Sequence, residues 1–546
     1  MRTPTGTPAD PGSPASGRLA PPRTSPMLAS PAPPLDRVEP GRDERPPQSP
    51  ASVNRHITAT QFLADLVRLG GMQFALAIAG VLRYKVLALR LGTAGLGEFQ
   101  QLVTATGTAG VLVAFGLAFA LNRNIATARD AEHRQRLLAT SNTIVCTLTA
   151  GVLLACVTLL VLRPDVVGRI GIRPTPTVIA TLFLLVLGIP FEALKSNLVT
   201  FLMASLDVRG VTNSRSLAVL GATVVSIPLV WVFGPVGAAA QSVAINVVLV
   251  AVLGYRCKQL GYAPFKLRFD RGSATVLAAF GVAQLIAGFA QQSLDLVVRT
   301  HLITGYGASQ NGFYQSALLM AGQVQTIVLS GIGSYALASI GNRTDREHAT
   351  ASSNLLLRVV LPVGALAFAA MGILAKPLLI VLYAAPFAAA APFVPFVLAT
   401  MFLEAILWVI DAPLLAHRGV RIWLVFNVTY FSLRAAAALA LLPVVGPTGV
   451  VIGYFAAMCV HVGLHTFVFI RVLRLHIDRA HFRELALGLV LILGTAWSGP
   501  SESPPWVHYV VAISMYLVYS GYVFHRYVGV ERARHLLARL LPEATR

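Results

Sequence analysis

Apolar runs of about twenty residues follow one another from Leu66 to Phe524, separated by short segments that carry Lys and Arg. Lipid offers a backbone no hydrogen-bond partner, so a run of this length crosses ~30 Å of hydrocarbon as a helix that satisfies its own N–H and C=O groups. The runs fall at Leu66–Leu91, Leu96–Leu121, Leu137–Leu162, Thr175–Leu206, Ser216–Phe233, Gly237–Tyr255, Ala274–Leu302 and Phe313–Ile340. They continue at Leu355–Leu382, Phe393–Leu415, Trp423–Leu442, Gly449–Val472, Leu485–Trp497 and Val507–Phe524. The expected fold is an all-α polytopic membrane protein of about fourteen transmembrane helices.

Composition agrees. The chain is 55% hydrophobic and 12% charged, with mean hydropathy +0.69. A water-facing surface needs about twice that charge. The net charge of +20 does not point to nucleic acid, because the cations sit in short loops and tails instead of along one soluble face. Arg123, Arg134, Arg136, Arg209, Arg215, Arg256, Lys258, Lys266, Arg268, Arg343, Arg418, Arg421, Arg474 and Arg479 share one side of the counted topology. The opposite loops are nearly bare, with Glu502 in one of them; the loop with Arg163, Arg169 and Arg173 is the exception. The positive-inside bias therefore sets both termini in the cytoplasm and the chain in the cytoplasmic membrane. Residues 1–60 are Pro-rich and read as a disordered tail, and 529–546 as a basic tail suited to anionic lipid. The four cysteines lack metal-ligand spacing, and no cofactor is expected.

Two halves repeat. Gly234-Pro235-Val236-Gly237 and Gly446-Pro447-Thr448-Gly449 each open a span, and Gly97-Glu98-Phe99-Gln100 and Gly312-Phe313-Tyr314-Gln315 hold matching places upstream. About six spans per unit make the copies parallel, a secondary-transporter architecture with the substrate between lobes. The expected organisation is an N-lobe at 61–258, a linker at 259–273, a C-lobe at 274–474, and two further spans within 475–528.

Charges at membrane depth cost several kcal/mol, about 2.5 upward, and so need a partner or a wet cavity. Gln284, Gly288, Gln291, Asp295 and Arg299 share a face of the seventh run, with Asp295 and Arg299 spaced to pair as i,i+4 neighbours. That face is either a hydrated wall or a polar seam between helices. Glu192 and Lys195 are spaced i,i+3 just after Pro190. Glu404 and Asp411 share a face of the tenth run; Asn427, Tyr430 and Arg434 share one of the eleventh; Tyr454, His461 and His465 share one of the twelfth. Arg83, Arg299 and Arg434 are the expected anion-binding residues, because a guanidinium stays charged and matches phosphate oxygens. Gln284, Gln291, Asn427 and Tyr430 are expected polar lining, and Asp295, Glu404, Asp411, His461 and His465 are candidates for ion or proton coupling. Arg90, Arg358 and Lys376 lie near run ends, where they either snorkel or line the passage.

The segments Leu87-Ala-Leu-Arg90-Leu-Gly92-Thr-Ala-Gly95-Leu-Gly97-Glu-Phe99 and Gly116-Leu-Ala-Phe-Ala-Leu-Asn122-Arg123-Asn-Ile-Ala126 carry a resemblance, as do Asp295 with Gly312–Ala317 and Pro386-Phe387-Ala388-Ala389-Ala390. In order, they resemble the polysaccharide and O-antigen flippases of the multidrug/oligosaccharidyl-lipid/polysaccharide exporter (MOP) superfamily. The resemblance implies transfer of undecaprenyl-diphosphate-linked oligosaccharide between leaflets by alternating access. It also implies a link to polysaccharide polymerase and glycosyltransferases. A peptidoglycan-precursor (lipid II) flippase and an ion-coupled multidrug exporter of the same superfamily are the alternatives. An enzyme is not expected: outer loops are short, and neither a G-x-x-x-x-G-K-[ST] loop nor H-E-x-x-H is present.

Overall fold

The computed structural model describes residues 59–128, 130–205, 207–341, 346–418, 420–496 and 505–528. Most of the two expected tails lies outside the described residues. The helices run in chain order as α1 (Ala59–Ala114), α2 (Leu117–Thr127), α3 (Ala131–Leu162), α4 (Val166–Arg169), α5 (Pro176–Ala204) and α6 (Val208–Gln259). The second half holds α7 (Arg271–Tyr306), α8 (Ala308–Gly341), α9 (Arg346–Ile373), α10 (Ala375–Leu382), α11 (Val394–Arg418), α12 (Val420–Val445) and α13 (Gly449–Arg471). α14 (Arg479–Ala496) and α15 (Pro505–Val523) follow, α15 continuing as a π-helical turn through Val528. No β-strand occurs among the described residues.

Each expected apolar run is helical in nearly all of its described residues. Among the described residues, nine helices are long and apolar enough to cross a membrane, ten if Ala79–Ala114 and Leu117–Ile125, bent by 41°, form one span. Some adjacent runs share one continuous helix. α1 covers two runs and breaks at Gly92, and α6 covers two and breaks at Gly234.

Local chemistry starts the helices. Asp130 accepts from the backbone N–H of His133, Thr175 from Val178 with Pro176 following, and Asp270 from Ser273. Asp207 caps α6 by accepting from Gly210 and also takes a two-pronged bond from Arg256, Nε to Oδ2 at 2.7 Å and Nη2 to Oδ1 at 3.1 Å. Residues 49 apart along one helix meet this way only because α6 folds back at Gly234. The Arg256 bond holds the Asp207 carboxyl below the usual carboxylate range, against the opposing effect of burial.

The repeat is visible in the backbone. Gly234 and Gly446 take left-handed φ of 57° and 79°, where an L side chain is strained, and the chain reverses at both. A Cβ at Gly237 would strike the Leu229 carbonyl, and one at Gly449 would strike that of Leu441, the same eight-residue offset in each copy. The copies meet at α1 and α8. A Cβ on Gly97 would collide with the Ala308 carbonyl, and one on Gly312 with the Thr93 carbonyl. These contacts are reciprocal, since each glycine abuts the carbonyl four residues before the other, as pseudo-two-fold symmetry requires. Small residues permit such close backbone approach.

Candidate functional site

The second lobe contains a polar spine built from α7, α8, α11, α12 and α13. Its centre is Asp295 of α7, ion-paired to Arg434 of α12 and accepting from the Tyr454 hydroxyl of α13 at 3.1 Å. The Arg434 guanidinium also lies over the Tyr454 ring, 4.4 Å from its centroid, and Tyr314 of α8 meets Tyr454 edge-on at 6.1 Å. One group thus neutralises the other's charge, while aromatic faces replace water around the cation.

From Arg434 the spine continues through rings. Tyr430 stacks on His461 at 4.4 Å and 21°, and His461 lies 4.2 Å from His465. Nδ1 of His465 stands 2.5 Å from Oδ1 of Asp411, an ion-pair approach without hydrogen-bond alignment. Both histidines are nearly inaccessible, 3% and 1% exposed, and the Nε2 atoms of both have no hydrogen-bond partner among the described residues. The step from Tyr454 to His465 along α13 covers roughly 16 Å, half the hydrocarbon thickness. Glu404 of α11 is half-buried in the same lobe.

Several expectations need correction. Asp295 does not pair with Arg299. Arg299 is 6% exposed, and its two terminal nitrogens donate to Asn311 at 2.9 Å and Gln315 at 2.7 Å, with Tyr314 under the guanidinium at 4.8 Å. Asn311 in turn donates to the Gly97 carbonyl at 2.7 Å, so Arg299 braces α8 against α1 and has few donors left for an anion. The first part of the seventh run's polar face is a seam rather than an open wall here: Gly281 and Gln284 close on Phe115 and Gly116, and Gly288 closes on Val111. Gln291 is half-buried, whereas its neighbour Gln292 is the one that reaches Gly107. Asn427 bonds back to the Trp423 carbonyl of its own helix at 2.9 Å. Arg90 donates to the Trp231 carbonyl, and Arg358 lies against Tyr527, away from the spine.

Arg83 stands apart. It is half-buried within a long apolar run, rests 5.0 Å from the ring of its neighbour Tyr84, and has no hydrogen-bond or ion-pair partner among the described residues. One turn earlier, Gly80 faces Gln323 of α8, so this part of α1 runs along the junction between lobes. Glu192 and Lys195 do pair, at 2.6 Å, and Lys195 also reaches Asn246 of α6. Sequence reading missed Tyr314, Asn311 and Gln315. All three lie in or beside a stretch read only as a helix start, and an uncharged side chain draws no notice by its cost.

Helix pairing, reciprocal glycine contacts and the solved structures agree on one architecture. The lipid II flippase MurJ in an inward closed conformation superposes with a TM-score of 0.63 at 13% identity, covering 84% of this chain and 99% of that one. The chain has the fold of a MOP-superfamily transporter. An inward-facing multidrug resistance MATE family transporter of that superfamily matches with a TM-score of 0.56 at 16% identity, over 75% of this chain and 98% of its own. In sequence, the lipid III flippase of Escherichia coli (strain K12) is 25% identical over 402 residues, 72% of this chain and 94% of the relative. No family model matches the chain. These relatives are flippases and transporters, not enzymes, and the chain shares their fold and has many apolar helices long enough to cross a membrane.

Proposed function

We propose that this protein moves a polyprenyl-diphosphate-linked oligosaccharide across the cytoplasmic membrane by alternating access, for polysaccharide, O-antigen or exopolysaccharide synthesis. The observation that carries the reading is Arg83, a cation at the lobe junction with no anionic partner among the described residues. A guanidinium in an apolar span needs an anion or water, and a diphosphate brought by the substrate supplies the anion. The relative that flips lipid III supports the lipid-linked class of cargo. Arg434 and Arg299 serve this function as the charge held by Asp295 and as a brace, respectively. The basic loops face the cytoplasm, both termini with them, and polymerase and glycosyltransferases work on the same glycan.

A strain lacking the protein should accumulate lipid-linked oligosaccharide on the cytoplasmic face. Arg83→Gln should abolish surface polysaccharide at unchanged protein level, with Arg83→Lys retaining part of it; normal export by the Gln variant would refute the role. The likeness to MurJ favours a second reading, a lipid II flippase. Accumulation of lipid II instead of another lipid-linked glycan would decide for it.

Coupling follows the spine. The histidines face Asp411 from α11, Tyr430 and Phe426 from α12, and each other. Replacing His461 and His465 together by Gln should flatten the pH profile of transport in proteoliposomes. A profile that keeps its wild-type slope would return both rings to a packing role.

A further inference from the structure

Away from the spine, three arginines gather where α9, α14 and α15 meet. Their anchor is Glu484 of α14, 0% exposed. Its Oε1 accepts from the Tyr522 hydroxyl at 2.5 Å and lies 3.3 Å from Nε of Arg526, while Oε2 is buried with no hydrogen-bond partner. The same Tyr522 oxygen accepts from Arg483 at 3.1 Å and from Arg526 at 2.8 Å, which brings two guanidiniums side by side. Arg526 and Arg358 both lie against the Tyr527 ring, 5.6 and 5.5 Å from its centroid. Arg358 forms no hydrogen bond or ion pair among the described residues, and Arg483 and Arg358 are exposed.

The charge does not balance. Among the described residues three guanidiniums face one carboxylate; the Asp478 carboxylate lies 3.6 Å from His476, and its backbone N–H donates to the Asn354 side-chain oxygen. Like charges held this close repel, and the protein retains them in place through a buried carboxylate and two phenol rings. Guanidinium donors left over on Arg358 and Arg483 match the oxygens of a phosphate. Beside the cluster the surface is apolar: Leu355 and Val359 flank Arg358 and are exposed, and Val518, one turn before Tyr522 on α15, is exposed too. A charged head above an apolar flank is the profile of a phospholipid.

We propose that Arg358, Arg483 and Arg526 form a headgroup site for an anionic phospholipid at the boundary of α9, α14 and α15. The lipid neutralises the excess charge and ties the last two helices to the second lobe. The site is separate from the spine, since it is built on α9, α14 and α15 and not on α7, α8, α11, α12 or α13.

The test titrates the full-length detergent-purified protein with phosphatidylglycerol, reading bound lipid by native mass spectrometry. Phosphatidylcholine and inorganic phosphate at equal concentration are the other probes. Arg358→Gln/Arg483→Gln leaves the Arg526–Glu484 pair intact and should weaken phosphatidylglycerol binding by about ten-fold or more. Arg358→Lys/Arg483→Lys should keep most of it. Equal phosphatidylglycerol binding by wild type and the Gln pair would overturn the site, and so would phosphatidylcholine binding as well. If phosphate displaced phosphatidylglycerol at equal concentration, the ligand would be a soluble anion and the lipid assignment would fall.

Discussion

Asp295→Asn should cost the folded protein about 3–5 kcal/mol and stop transport, because it strands the Arg434 charge among Tyr430, Phe431 and Tyr454. Arg434→Gln should do comparable harm from the other side, leaving Asp295 with only the Tyr454 hydroxyl. The double variant Asp295→Asn/Arg434→Gln separates the two contributions. Removing both charges together removes the stranded-charge penalty, so stability should recover most of the loss. Transport should not recover if the pair takes part in the cycle. Thermal unfolding in detergent and flux in proteoliposomes, measured on all four proteins, give the coupling directly. A double variant as unstable as either single one would show that the two residues are held by separate partners, and one that transports normally would make the pair purely structural.

Gly97→Val and Gly312→Val should each reduce transport at least ten-fold while the protein still inserts. The added side chain meets a backbone carbonyl of the facing helix, which cannot rotate away as a flexible side chain does. Overpacking of this kind costs about 1–3 kcal/mol, and here the strain falls on one conformation, the one with α1 closed on α8. Thr93 and Ser309 report that closure, their hydroxyls 3.2 Å apart across the two helices. In a background lacking Cys146, Cys156, Cys257 and Cys459, the pair Thr93→Cys/Ser309→Cys should cross-link under oxidant and lock the transporter until reduced. Adding Gly97→Val should lower cross-linking several-fold. Unchanged cross-linking with Val present would mean that the helices tolerate the side chain and that closure at this point does not limit the cycle.

How far the sequence reached depends on the kind of information each feature needs. Helix placement follows from hydrophobic run length, and lipid enforces it locally through backbone hydrogen bonding, so the runs from Leu66 to Phe524 are helical in nearly all of their described residues. The repeat was legible because Gly234 and Gly446, or Gly97 and Gly312, are demanded by the backbone itself, whatever packs nearby. Asp295, Arg299, Arg434, His461 and His465 stood out by the cost of placing such groups in hydrocarbon. Their partners did not. Asp295 joins Arg434, 139 residues away, and Arg299 turns to Asn311 and Gln315.

The sequence by itself determined a bundle of apolar helices in two like halves, with ionisable residues at a few fixed depths. Tertiary structure alone decided which of those residues neutralise one another and which, like Arg83 and Arg358, are left without an ion-pair partner among the described residues. The physical reason is that membrane helices present nearly equivalent apolar faces. Rotation and pairing are set by small-residue contacts and single polar bonds, which hydropathy along one chain does not encode.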